Sequence, residues 1–450
     1  MRSRSTRSLE TPARWVLLLW LVLQMGCGFD GQPVGIESQP SRQSNDDKGS
    51  SQLTETGSQD WPQLFGINRT CYVATKPANL IWSARGPAEV WSVEVGTGYG
   101  SVVVANGRAV FAHRIDDEEI IDCVDAETGQ SVWQHRYVTT TECVYEYSDG
   151  PYSTPAIFDG RVHCIGGNGM FHCLSLDSGE VIWNRDLHAE YSVEPREFPM
   201  GSTPLVAGQR LFLNLGAVDR GAGIVCLDCI TGETVWSATD HEAGFCIPYL
   251  AWIHDQAFLF VYTGLGLVSL HPETGDVDWV IEHYGRSPQS YNSVSPMVFE
   301  DLVMVCNGPG PGARCVRVLP DRSYEPVWKN RRVIDSQFNT LMRRGNQVFT
   351  FSPLHQGGAE LRCADIRTGE LNWKFPSVLR RGQGLIAGDT IIAVGELGHL
   401  AALQIGRSEP NVLTMTTEPV MSDPCYCAPA LVGNRLFLKD EQRVACFALE

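Results

Sequence analysis

Adjacent cysteines occur nowhere in this 450-residue chain, and neither does an apolar run long enough to cross a bilayer, for which a helix needs about 20 residues. Gly-x-Ser-x-Gly, P-loop and His-Glu-x-x-His patterns are all missing, which removes the serine-hydrolase, nucleotide-hydrolase and zinc-protease readings that rest on them. Cys226 and Cys229 have haem-attachment spacing, but Ile230 follows where a histidine would be required. Basic residues are in deficit: 35 Lys and Arg against 52 Asp and Glu give a formal charge of −17. A chain with that balance lacks the basic footprint that phosphate backbones demand, so nucleic acid is excluded as a partner. Residues 60–450 also lack any sustained apolar period of 3.6, which leaves no major helix and makes the chain all-β.

The N-terminus is of a different kind. Arg2, Arg4, Arg7 and Arg14 precede the nine apolar residues Trp15 to Leu23, a basic region followed by a short hydrophobic one. This is the pattern of an export signal, and residues 1–26 are assigned to it. Gly26-Cys27 resembles a bacterial lipoprotein box, with Gln24 standing where an aliphatic residue is usual. Lipidation at Cys27, plain cleavage and a retained anchor are all open, and the membrane is expected only through such an anchor. Residues 27–59 are rich in Ser, Gln, Gly and Asp and have too little apolar surface to offset ordering entropy, so they read as a polar linker.

From residue 60 the chain repeats. Thr128-Gly129 leads to Trp133, Ser178-Gly179 to Trp183, Thr231-Gly232 to Trp236, Thr274-Gly275 to Trp279 and Thr368-Gly369 to Trp373. Trp328 ends a unit that has lost its glycine, and a further unit near Leu413 has lost its tryptophan. Spacings of 43 to 53 residues between successive tryptophans mark an array or a propeller. Each unit offers four short strands with hairpin signals such as Asn106-Gly107, Asp159-Gly160 and Gly388-Asp389. First strands near Val102, Ala156, Leu205, Trp252, Met297, Leu341, Leu385 and Ala430 number eight. The last unit stops before its tryptophan strand, whereas the first is preceded by an orphan strand around Trp91. An eight-bladed β-propeller of four-stranded blades, closed by the N-terminal strand joining the C-terminal blade, leaves no edge bare. Trp91, Trp133, Trp183, Trp236, Trp279, Trp328 and Trp373 are therefore expected to pack blades together. Cys123, Cys173, Cys226, Cys315, Cys363 and Cys446 occupy one equivalent position around the ring, where they cannot all pair and read as small buried hydrophobes.

The Thr-Gly-x-x-x-Trp repeat resembles that of the pyrroloquinoline-quinone (PQQ) propeller family over nearly all of 60–450, and Asp60-Trp61-Pro62-Gln63 with Gly66 and Asn68-Arg69 is similar to the entry motif of its exported members. The plan of signal, linker and eight blades looks like that of the BamB-like exported propellers. That resemblance implies a periplasmic or membrane-anchored protein facing the periplasm, with envelope proteins or polymers as partners. For the dehydrogenases of the family it implies PQQ, Ca²⁺ and a vicinal cysteine pair. The nearest approach to such a pair here is Cys425-Tyr426-Cys427, and no matching calcium motif is present. No cofactor, no catalytic residue and no metal ligand is accordingly expected.

The connections between blades carry the remaining signal. Tyr137, Tyr145, Tyr147, Tyr191, Phe245, Tyr284 and Tyr291, with Arg331, Arg332, Arg380 and Arg381, fall in these segments. Aromatics with arginine are the composition of binding hot spots, provided the loops share a face. Cys143, Cys246, Cys425 and Cys427 lie in the same connections, where one or two disulfides would suit an oxidising compartment. Asp116 to Glu119 reads as a solvated hairpin tip. The leading reading is a non-catalytic envelope scaffold binding through its loop face. A periplasmic PQQ-dependent dehydrogenase and a carbohydrate- or peptide-binding module stand as alternatives.

Overall fold

The computed structural model describes residues 60–285, 291–354, 358–377 and 379–450. The signal, the linker and Cys27 lie outside the described residues. The protein is an all-β, eight-bladed propeller, with each blade a four-stranded antiparallel sheet. Blade 1 is built from Val103–Ala105, Arg108–Ile115, Glu118–Asp125 and Ser131–Val138. Blades 2 to 7 follow over 156–186, 205–238, 249–282, 297–330, 342–376 and 382–415. Blade 8 takes three strands from 430–448 and its fourth from Ala88–Glu94, which pairs antiparallel with Arg443–Ala448 in the register Trp91↔Cys446. The one α-helix among the described residues, Leu187–Tyr191, is a single turn in the connection after blade 2.

The repeat motif makes the seams. Trp91, Trp133, Trp183, Trp236, Trp279 and Trp328 each donate the indole N–H to a backbone carbonyl of the next blade, over 2.7–3.3 Å. At five of these seams, all but that of Trp279, the indole lies against the glycine of the next blade's Thr-Gly or Ser-Gly turn, and the glycine is what lets it in. A Cβ on Gly129, Gly179, Gly232, Gly275 or Gly369 would come within 2.4–2.7 Å of the tryptophan of the preceding blade. Each repeated cysteine stands directly across from its own blade's tryptophan, as in Cys123↔Trp133, Cys226↔Trp236 and Cys446↔Trp91, just before a bulge in the fourth strand. Burial pushes these thiols up, to about 12 for Cys123, Cys173, Cys226, Cys315 and Cys446. They behave as small apolar groups.

A second set of seams lies near the axis, where each first strand begins. Ser101 N–H donates to Thr154 Oγ1, Thr154 N–H to Thr203 Oγ1, Ile247 N–H to Ser295 Oγ, Thr340 N–H to Gln383 Oε1 and Ala428 N–H to Ser101 Oγ, over 2.8–3.1 Å. Hydroxyls and, at Gln383, an amide oxygen here satisfy backbone donors that have left one sheet before entering the next.

Because the four strands alternate in direction, the hairpins joining first to second and third to fourth strands emerge at one end of the channel. The blade-to-blade connections emerge at the other.

Candidate functional site

Residues 61–73 form a strap across the hairpin end of the channel. Trp61 bridges to Val104 of the first strand of blade 1, and Pro62 accepts from Ile157 N–H in blade 2. Leu64 and Phe65 pack on the apolar cluster of blades 3 and 4 that contains Leu205 and Leu250. Arg69 donates to the Leu250 carbonyl at 3.0 Å with its guanidinium over the Tyr249 ring, and Thr70 accepts from Arg343 N–H in blade 6. Tyr72–Val73 then pairs in parallel with Ile386 and Ala387, adding a fifth strand to blade 7, and Asn79 N–H reaches Leu449 in blade 8. The strap thus meets the blades in ring order. Phe65, Arg69 and Cys71 all hold left-handed backbone angles, with φ of 69°, 54° and 53°. Non-glycine residues adopt that region at a cost of about 1–2 kcal/mol, so the surrounding contacts dictate the path.

The opposite end is paved with aromatic rings. Phe198 is the hub of one group, with ring centroids 5.1 Å from Tyr145, 5.7 Å from Tyr147, 6.0 Å from Phe245 and 5.0 Å from Tyr291. Arg196 lies over Phe245 and donates to the Ala243 carbonyl. Tyr426 is the hub of the other, 5.3 Å from Tyr99 and 5.0 Å from Phe338, with Tyr152 behind Tyr99 at 4.9 Å. Arg381 sits between Phe338 and Tyr426, tied to Glu396 at 2.7 Å. Backbone of Ser148 joins the groups: its N–H donates to Tyr99 and its carbonyl accepts from Tyr152, beside Tyr147. All eight connections contribute a ring or, in the case of Arg381, the cation between rings. Burial raises the Tyr99, Tyr152, Tyr291 and Tyr426 phenols above their ordinary value, so they are neutral hydrogen-bonding groups. Tyr145 and Tyr147 remain 44% and 46% exposed and offer ring faces to solvent. Exposed Glu142, Glu146, Glu194 and Glu197 border the Phe198 group, whereas exposed Arg331, Arg332 and Arg380 belong to the connections after blades 5 and 6. The face is therefore acidic on one side and basic on the other.

The structure brings Tyr145, Tyr147, Phe245, Tyr291 and Arg381 together and leaves three expected aromatics outside the group. Tyr137 lies within the fourth strand of blade 1, where strand alternation turns it inward; its hydroxyl donates to buried Glu119 and its ring lies tilted against His172, 4.3 Å between centroids. Glu119 is correspondingly no solvated tip residue: it is 1% exposed and accepts from Gly167 N–H at 3.0 Å. Burial raises its carboxyl, against the pull of those two hydrogen bonds. Tyr191 closes the short helix and bonds Thr234 on the outer strand of blade 3, away from the ring pavement. Tyr284 is exposed without a ring partner among the described residues. Tyr99, Tyr152, Phe198, Phe338 and Tyr426 complete the pavement. Their signal was position: each lies between one blade's fourth strand and the next blade's first. The connection cysteines are free thiols, as are all fourteen described. Cys246, Cys425 and Cys427 each contact a backbone carbonyl, of Tyr262, Lys439 and Gly100, in place of another sulfur. Among the described residues no three His, Cys, Asp or Glu side chains gather as a metal set.

Comparison with known proteins gives a consistent picture. The profile of the family described as outer membrane protein assembly factor BamB matches residues 117–375. Outer membrane protein assembly factor BamB of Yersinia pestis is 29% identical over 145 residues, covering 32% of this chain and 32% of its own. The Escherichia coli protein of that name is 28% identical over 148 residues, covering 32% and 31%. The aligned stretch thus spans about a third of each curated relative. Among solved structures, BamB from Moraxella catarrhalis aligns with a TM-score of 0.57 at 14% identity, covering 81% of this chain and 98% of its own. Quinohemoprotein alcohol dehydrogenase from Comamonas testosteroni aligns at 0.60 and 12%, covering 87% and 80%. At those identities the structural likeness concerns the fold alone.

Proposed function

The chain belongs to the family described as outer membrane protein assembly factor BamB, and on that premise we propose that it is an exported, non-catalytic scaffold of the cell envelope that binds protein partners through its aromatic connection face. The observation that carries the reading is the pavement: rings from around the whole propeller converge at one end of the channel, with tyrosines exposed at its surface. Aromatic side chains supply large contact area at low entropic cost, and flanking charges of both signs give orientation and partner choice. Membrane attachment through Cys27 would tether this face without taking part in recognition.

The channel supports the non-catalytic half of the proposal. PQQ is a tricyclic quinone, and the residues here do not fit it. The strap occupies the hairpin end, and the void left beside Phe65 and Arg69 is ≈ 10 Å³, about one water's worth. A vicinal cysteine pair is also absent.

A photo-activatable amino acid at Tyr147, with a second variant at Val132 on the outer rim as control, tests the binding face in intact envelopes. Cross-links to a defined protein from position 147 and not from 132 are expected. Equal labelling from both positions, or cross-linking from 132 alone, refutes the face assignment. Dye reduction with alcohols after adding PQQ and Ca²⁺ to the purified chain refutes the non-catalytic assignment.

A further inference from the structure

Cations are outnumbered in this chain, 35 Lys and Arg against 52 Asp and Glu, so carboxylates are on hand to pair with them. Arg322, Arg362, Arg367 and Arg381 are paired in this way, at 2.6–3.0 Å from Asp278, Glu360, Glu300 and Glu396. Arg331, Arg332 and Arg380 are not. All three are exposed, and none of their side chains has a hydrogen bond or ion pair among the described residues. Arg331 and Arg332 follow directly on the fourth strand of blade 5, Tyr324–Asn330, and the Arg332 carbonyl accepts from Arg362 in the third strand of blade 6 at 3.1 Å. Arg380 belongs to the next connection, whose Ser377 N–H donates to the Ala359 carbonyl at the start of that same strand. Three residues of strand span about 10 Å, so the two connections lie alongside one another. Arg380 also holds a left-handed backbone, φ of 57°, which residues with a Cβ avoid.

The carboxylates of blades 6 and 7 at this end are already engaged, Glu360 by Arg362 and Lys374 and Glu396 by Arg381. Three guanidinium forks are thus presented to whatever meets the face, each shaped for a carboxylate or a phosphate. Beside them, Arg381 lies over the Phe338 and Tyr426 rings of the pavement, the pairing of arginine with aromatic surface that concentrates binding energy. The rest of the face decides between the two kinds of anion. An anionic polymer or membrane surface spread over it would also meet exposed Glu142, Glu146, Glu194 and Glu197 on the other side, in a chain of net charge −17. A protein places its carboxylates opposite the arginines alone. We propose that Arg331, Arg332 and Arg380 form a docking patch for an acidic segment of a protein partner, which fixes how that partner is turned on the face. The patch rests on the scaffold reading above and supplies the chemistry of its partner.

A photo-activatable amino acid at Gln337, in the connection that begins with Arg331 and Arg332, tests the patch in intact envelopes beside the Tyr147 probe. Protein cross-links from both positions are expected, and the peptide captured at 337, identified by mass spectrometry, should carry net negative charge. Arg331→Gln, Arg332→Gln and Arg380→Gln combined should lower the yield at 337 at least about tenfold. Because the three side chains are exposed and unpaired, the Tm of that variant should match the parent's. Four results overturn the patch while leaving the binding face in place: cross-links from 147 with none from 337, a neutral or basic captured peptide, lipid or polymer adducts at 337, or an unchanged yield in the triple variant. Loss of cross-links from both positions in the parent overturns face and patch together.

Discussion

Trp133 and Trp373 occupy equivalent seams but differ in one bond, and replacing each by phenylalanine isolates its worth. Trp133 is 8% exposed and donates to the Leu176 carbonyl at 2.7 Å. Trp373 is 5% exposed, and its indole N–H is buried without a partner among the described residues. The reason is local. The third-to-fourth-strand turn of blade 7, which it faces, is built differently, with Gly406 closing on Glu409 of its own loop, whereas the seam glycines close on a tryptophan. Exchanging indole for phenyl costs both sites about 1 kcal/mol in apolar contact and residual cavity. At Trp133 the change also strands the Leu176 carbonyl, adding about 1–3 kcal/mol. At Trp373 it removes a buried unsatisfied donor and returns about the same amount. Trp133→Phe is therefore expected to cost about 2–4 kcal/mol, and Trp373→Phe to be neutral or to stabilise by up to about 2 kcal/mol. Urea unfolding followed by far-UV circular dichroism, with unchanged m values, measures both. A Trp373→Phe cost equal to or above that of Trp133→Phe would refute the account of the seams.

Other consequences follow from the same contacts. Gly107 and Gly179 share a left-handed backbone, φ of 71° and 72°, but a Cβ meets nothing at 107 and lies 2.6 Å from Trp133 at 179. Alanine at 107 should cost about 1 kcal/mol and at 179 about 2–4 kcal/mol, read by thermal melts. Burial lowers His163 to about 3 and His172, His188 and His283 to about 4. The unfolded chain therefore binds more protons below the ordinary histidine value, and stability that is complete above about pH 6.5 should fall as pH drops toward 4. Urea midpoints against pH check this, and His163→Leu should flatten the slope. The raised thiols at Cys123, Cys226 and Cys446 should resist a disulfide reagent at pH 8 in the folded protein and react fully in denaturant. Rapid labelling of the folded chain at those positions, located by mass spectrometry, would contradict their burial.

What was readable in advance follows the range of the interactions. The Thr-Gly turn, its aspartate and the tryptophan lie within about ten residues of one another, as with Asp125, Thr128, Gly129 and Trp133, so a blade announces itself locally. Blade count and strand order followed from that repetition. Tyr137 shows where the reading failed: blade 1's fourth strand runs on to Val138, and a residue taken as loop became an inward-facing strand position. The strap was beyond local reading for a different reason. Its motif was visible at residues 60–69, but its partners are Val104, Ile157, Leu250, Arg343 and Ile386, brought near it only by ring geometry.

The strap and the pavement together explain why the repeat carries so little functional information. Repeated residues are spent on the seams, where eightfold similarity is an advantage because every blade must meet its neighbour in the same way. A site for one particular partner needs the opposite, positions free to differ from blade to blade. The connections supply that freedom: Phe198 and Tyr426 are hubs with no counterpart at equivalent positions, and acidic and basic residues fall on different sides of the face. The hairpin end is closed by a segment outside the repeat altogether, held at Phe65, Arg69 and Cys71 in backbone angles that a free chain would avoid. Closing one end with the chain's own residues removes the channel as a passage and leaves the irregular face as the surface we propose for partner binding.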